Sequence, residues 1–120
     1  MTTRKTSAAV GKAWTENEQH ALIRAYNAMM LADANSLPYS KAVINRLLRG
    51  DTTPADWQKP WLNLQPYYRA LAARSRGSVE AKLMNISGAR ETLGLPILKG
   101  YKPAPNFQRS LIDLVKQLEQ

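Results

Sequence analysis

The sequence predicts an all-α fold, a single domain of about five helices. Three observations carry that expectation. Apolar residues recur at helical spacing in several segments, capping residues and glycines bracket those segments, and no alternating run of β-branched residues proposes a strand. With 120 residues, 44% of them hydrophobic, the chain is long enough for one buried core. The expected organisation is a basic N-terminal arm over residues 1–13 and a helical domain over residues 14–120.

The elements follow in order. Thr15 and Glu18 form a capping-box pair at the start of a first helix reaching about Leu31, with Trp14, Leu22, Ile23, Tyr26, Met29 and Met30 facing the core. Asp33 to Pro38 reads as a loop. A second helix is predicted from about Ser40 to Arg49, with Val43, Ile44, Leu47 and Leu48 inward and Gly50 as its stop. Thr53-Pro54 reads as a cap followed by proline at the first helical position, and Pro60 and Pro66 interrupt continuation. Trp57, Trp61 and Leu64 pack from short turns, and a helix from Pro66 to about Ala73 presents Tyr67, Tyr68 and Leu71. The strongest pattern runs from about Ser78 to Leu93, with Val79, Leu83, Ile86 and Leu93 on one face, closed by Gly94 and Pro96. After an irregular connection to Pro105, Asn106 is positioned to cap a last helix whose Phe107, Leu111, Leu114 and Leu118 point inward.

The inventory of reactive side chains argues against an enzyme. There is no cysteine, and His20 is the only histidine, so no thiolate nucleophile, zinc cluster or hydroxyl–histidine–carboxylate set is suggested. The six glycines are scattered and form no phosphate loop. Glu16/Glu18 and Glu80/Glu91 are explained by capping and surface charge. No catalytic residue, metal or cofactor is expected. No apolar run approaches the length of a membrane span, and the N-terminus lacks a secretory apolar stretch, so the expected setting is soluble and cytoplasmic, without membrane association.

Charge gives the positive indication. The net charge is +8, concentrated in blocks of +3 at residues 1–13, 40–50, 64–78 and 92–109. These blocks fall on connections and helix ends, a distribution suited to clamping a polyanion such as duplex DNA. The sharpest candidate is Arg74-Ser75-Arg76-Gly77-Ser78, which runs into the strongest helix pattern. Ser78 is read as its cap, and free first-turn amides beside Arg74 and Arg76 would favour an anion. Lys82 and Asn85, three apart, share a helix face and suit phosphate and adenine respectively. Further along, Lys99 and Lys102 supply charge around Gly100, while Tyr101 is either a stacking surface or a packing side chain. Arg4, Lys5 and Lys12 complete the expected contacts from the arm.

Two resemblances sharpen this picture. Trp14-Thr15-x-x-Glu18, a second helix, and then Arg74-Ser75-x-x-Ser78-Val79-x-x-Lys82 resemble a Myb/SANT-type three-helix domain, which implies a helix-turn-helix core and a DNA-reading helix beginning near Ser78. Leu83 or Met84 stands where that pattern has its later tryptophan, and residues 51–66 exceed the usual connection. A broader likeness, over roughly residues 14–115, is to the N-terminal module found ahead of HNH nuclease domains in bacterial restriction-type proteins. It rests on Trp14-Thr15-Glu16-x-Glu18, Ala25-Tyr26, Pro38-Tyr39-Ser40-Lys41, Arg74 to Lys82, Asn85-Ile86-Ser87, Leu93-Gly94-Leu95-Pro96 and Gly100-Tyr101-Lys102-Pro103-x-x-Asn106. This resemblance implies a DNA-targeting module without the nuclease, in a phage, mobile-element or restriction setting. The competing expectation is a protein-interaction adaptor of SANT-like shape that binds an acidic partner such as a nuclease.

Overall fold

In the computed structural model, residues 13–52 and 61–119 are described. Among them are four α-helices and no strand: α1 (Glu16–Ala34), α2 (Lys41–Arg49), α3 (Arg76–Thr92) and α4 (Arg109–Leu118). A 3-10 segment (Trp61–Tyr67) lies between α2 and α3. The all-helical expectation holds, but the described part carries four α-helices rather than five. Thr53-Pro54, Trp57 and the arm residues Arg4, Lys5 and Lys12 lie outside the described residues.

Local signals set most helix ends. The Thr15 hydroxyl accepts from the Glu18 amide at 3.1 Å while the Glu18 carboxylate accepts from the Thr15 amide at 3.0 Å, so the capping box is complete. Ser40 caps α2 through the Val43 amide, and Gly50 ends it in the left-handed region at φ 80°. α1 continues one turn beyond Leu31, and Asn35 closes it by donating to the Leu31 carbonyl.

Three boundaries correct the sequence reading. The expected helix from Pro66 to Ala73 does not form. The Arg69 and Leu71 amides donate instead to the Leu47 and Leu48 carbonyls in the last turn of α2, where helical acceptors are not fully used. Arg69 takes φ 68° to make that turn. Second, α3 begins at Arg76, with Ser75 rather than Ser78 as its cap: the Ser75 hydroxyl accepts from the Ser78 amide at 3.1 Å. Third, α4 begins at Arg109, and Asn106 does not cap it.

The core lies where α1 meets the 3-10 segment, α3 and α4, with α2 packed on α3. Tyr26 is its hub. Fully buried in α1, it shares a 2.7 Å hydrogen bond with the Ser87 hydroxyl of α3 and accepts from the Leu98 amide at 2.6 Å. One side chain thereby fixes two helices and the loop after α3. That loop crosses α3 at Gly88, where an added Cβ would stand 2.3 Å from the Ala104 carbonyl oxygen. Only glycine permits the approach. The connection between α2 and α3, from Gly50 to Ser75, far exceeds the three or four residues of a helix-turn-helix turn.

Candidate nucleic-acid interface

The two arginines flanking Ser75 have opposite environments. Arg74 is buried, 5% exposed. Its guanidinium donates to both Glu18 carboxylate oxygens, at 2.7 and 2.9 Å, and to the Ala13 carbonyl at 3.0 Å. It also lies 4.2 Å from the centre of the Trp14 ring. This bidentate, stacked arrangement ties the start of α1 to the start of α3. Burial alone would raise the Glu18 pKa, but the hydrogen bonds and charge of Arg74, with those from Thr15, outweigh it and hold the carboxyl below its ordinary value. Arg74 therefore does not face a ligand, which corrects its expected phosphate role.

Lys82 is corrected on the same grounds. It is 5% exposed, with its ammonium 5.6 Å from the Trp14 ring centre. Burial first, and the neighbouring Arg74 charge second, lower its pKa. Asn85 is not aimed at a groove either, because its amide donates to the Ala104 and Asn106 carbonyls at 3.3 and 3.0 Å and pins the crossing loop. Tyr101 is the packing side chain of the two readings: 7% exposed, it stands with its ring centre 6.4 Å from that of Tyr26. Ser75 and Ser78 serve the cap.

Arg76, Lys99 and Lys102 remain exposed. Arg76 carries only a loose pair with Glu80 at 3.6 Å on the next turn, both side chains well exposed, an arrangement worth little. The structure adds residues that sequence reasoning did not single out. The Asn45 amide donates to the Arg76 carbonyl at 3.3 Å, and Asn45 accepts from Arg49 Nε at 2.6 Å, so the last turn of α2 is bound to the first turn of α3. The Arg69 side chain lies against Gly50, where a Cβ would stand 2.6 Å from Arg69 Cγ. Arg46, exposed, is on that same last turn of α2. Arg49 is turned toward Asp51 in an ion pair. Arg46, Arg69 and Arg76 are all exposed, and their backbones are tied to the C-terminal half of α2: Arg46 is part of it, the Arg69 amide bonds the Leu47 carbonyl, and the Arg76 carbonyl accepts from Asn45. The +3 block at residues 40–50 was the available signal for Arg46. The +3 block at residues 64–78 was the corresponding signal for Arg69.

At the other end of α2, Lys41 spans Tyr39 and Tyr101, with its ammonium 5.4 and 5.6 Å from the ring centres, and its side chain abuts Gly100. Lys99 and Lys102 therefore emerge near the start of α2, about 13 Å along that helix from its C-terminal end. His20 stands edge-on to Tyr67, and no group of three or more potential metal ligands occurs among the described residues. No helix among them is long and apolar enough to cross a membrane. Comparison of the chain with protein-family models, curated proteins and solved structures gives no match.

Proposed function

We propose that the protein is a non-catalytic binder of double-stranded DNA, acting as a regulator or targeting module. The contact surface in this reading is the corner between the end of α2 and the start of α3. The carrying observation is that three exposed arginines, Arg46, Arg69 and Arg76, belong to segments joined to the C-terminal half of α2 by hydrogen bonds. Exposed guanidiniums beside helix-start amides suit phosphate oxygens. Lys41, Lys99 and Lys102 flank the corner and extend the contact along the backbone. Arg74, Lys82, Asn85 and Tyr101 support this surface from inside rather than touching DNA.

Fluorescence anisotropy on a labelled duplex tests the reading. Three to six phosphate contacts give a log–log salt slope of about −3 to −5. A flat salt response, or equal binding after Arg46, Arg69 and Arg76 are all changed to alanine, overturns it.

One observation favours the second reading, a protein-interaction adaptor. Pro38, Tyr39, Val43, Ile44, Leu47 and Trp61 line an apolar groove of about 190 Å³, in which Val43 is 38% exposed. Exposed apolar side chains around a groove suit a protein partner. Tryptophan fluorescence that responds to a protein partner and not to DNA would transfer the assignment to this groove.

A further inference from the structure

The helix that the sequence patterns single out for reading DNA, α3, is enclosed along most of its length. It packs on α1, α2 and α4, and the loop that follows crosses it at Ala104. The Ala104 amide donates to the Met84 carbonyl at 3.0 Å, and the Ala104 carbonyl accepts from the Asn85 amide at 3.3 Å. No residue from Lys82 to Arg90 is exposed. The major groove is about 12 Å wide, close to the diameter of a helix with its side chains, so a helix enters it only along a free flank. α3 offers a duplex its two ends and nothing between them.

Those ends are poor in base-reading chemistry. At the start the exposed residues are Arg76, Gly77, Glu80 and Ala81. Gly77 and Ala81 have no hydrogen-bonding side chain, and Glu80, loosely paired with Arg76, repels phosphate. At the far end Glu91 is acidic and the Thr92 hydroxyl donates back to the Gly88 carbonyl at 3.0 Å. α2 repeats the pattern, with only Val43 and Arg46 exposed. The amides suited to adenine on these two helices, Asn45 and Asn85, are already bonded within the fold. The exposed cations that remain are Arg46 on α2, Arg69 on the connection and Arg76 on α3. A reading helix instead presents several side chains from one groove-lying face.

We infer that the chain holds duplex DNA by its sugar-phosphate backbone, without base readout, so that its substrate class is duplex of any sequence. The inference rests on the DNA-binding reading and specifies it: the arginines supply charge, and α3 supplies no code.

Selection from a randomised duplex library by the full chain, followed by anisotropy on AT-rich, GC-rich and mixed duplexes of equal length, tests it. Duplex should be retained with no enriched motif. The three affinities should agree within about threefold, against the roughly thousandfold or more that separates specific from non-specific sites. Arg76→Lys keeps a point charge for phosphate and loses the planar fork that pairs with guanine, so it should change each affinity by less than about threefold. An enriched motif, a difference of about a hundredfold between duplexes, or a loss in Arg76→Lys confined to the GC-rich duplex overturns the inference and leaves DNA binding standing. A motif that vanishes when Asn63 and Gln65, exposed on the 3-10 segment, are changed to alanine overturns it by moving base readout to that segment. Retention of no duplex, with no anisotropy change on any of the three, overturns the DNA-binding reading itself and the inference with it.

Discussion

Arg74 and Arg76 stand on either side of Ser75, yet one belongs to the interior and the other to solvent. Arg74 is clamped by Glu18 and Trp14 with its side chain 6% exposed, while that of Arg76 is 65% exposed. The same contrast divides the other cations. Lys82 and Arg90 are buried, Arg90 between the Pro96 carbonyl, Glu119 and the Tyr26 ring. Arg46 and Arg69 are exposed near the start of α3. Positive charge in this chain therefore has two uses: buried cations join elements distant in sequence, and exposed ones define the surface proposed to meet DNA. Variants that remove one kind should leave the property of the other untouched.

The largest expected effect is on stability. Arg74→Ala leaves the half-buried Glu18 without its guanidinium partner and should cost about 3 kcal/mol in urea unfolding. The Glu18→Leu/Arg74→Met pair, which removes both charges, should recover most of that loss and bind DNA as the native chain does. The Glu18 interaction also has a pH signature. A carboxyl held below its ordinary value of 4.5 contributes stability above that pH, and the contribution is lost as pH falls through the lower folded value. Glu18→Gln should flatten that acid limb.

Next in size is the triple change of Arg46, Arg69 and Arg76 to alanine. It should reduce DNA affinity by about one to two orders of magnitude and make the salt slope shallower by about 2–3. Stability should change little, because none of the three is buried. Gly88→Ala should cost about 1–3 kcal/mol, since its methyl meets the Ala104 carbonyl, backbone that cannot simply swing away.

The smallest effect is expected at Lys82. Lys82→Met keeps the apolar stem and removes a buried charge, so it should stabilise the protein by about 1 kcal/mol at neutral pH. The folded pKa of Lys82 is below its ordinary 10.5, so the native charge disfavours folding at neutral pH and that penalty fades as pH rises toward 10.5. The gain from Lys82→Met should therefore shrink in alkaline unfolding series. Tyr39 and Tyr101 act in the opposite direction. Burial first, then nearby groups led by Asp33 and Glu80 respectively, push both up to about 12, so their contribution is complete below pH 10 and lost as pH rises through 12.

What was legible in the sequence was local. Thr15 with Glu18, Ser40, Gly50 and Gly94 mark helix ends through contacts within a few residues, and each is observed at a helix end. The boundary at Ser75 shows the limit of that reading. Ser75 and Ser78 are both competent caps three residues apart, and Ser75 prevails with the Val79 amide closing on its carbonyl at 3.1 Å. The absent helix after Pro66 shows another limit, because its donors are drawn to α2 carbonyls about twenty residues earlier in the chain. Candidate site residues were hardest to place. The Glu18–Arg74 pair spans 56 residues and Asn85 reaches 19 and 21 residues ahead, so nothing local marked Arg74 as enclosed, whereas Lys82, three residues after Val79 and four before Ile86, lies on the apolar stripe of its helix. Charge blocks located the regions but did not distinguish inward from outward side chains.

The most direct measurement is a duplex-DNA anisotropy titration across NaCl concentrations, run on the native chain, the Arg46/Arg69/Arg76→Ala variant and the Glu18→Leu/Arg74→Met variant. The exposed-arginine account predicts weak, shallow-sloped binding for the first variant and native binding for the second. Native affinity in the first, or loss of DNA binding in a folded second variant, would contradict it.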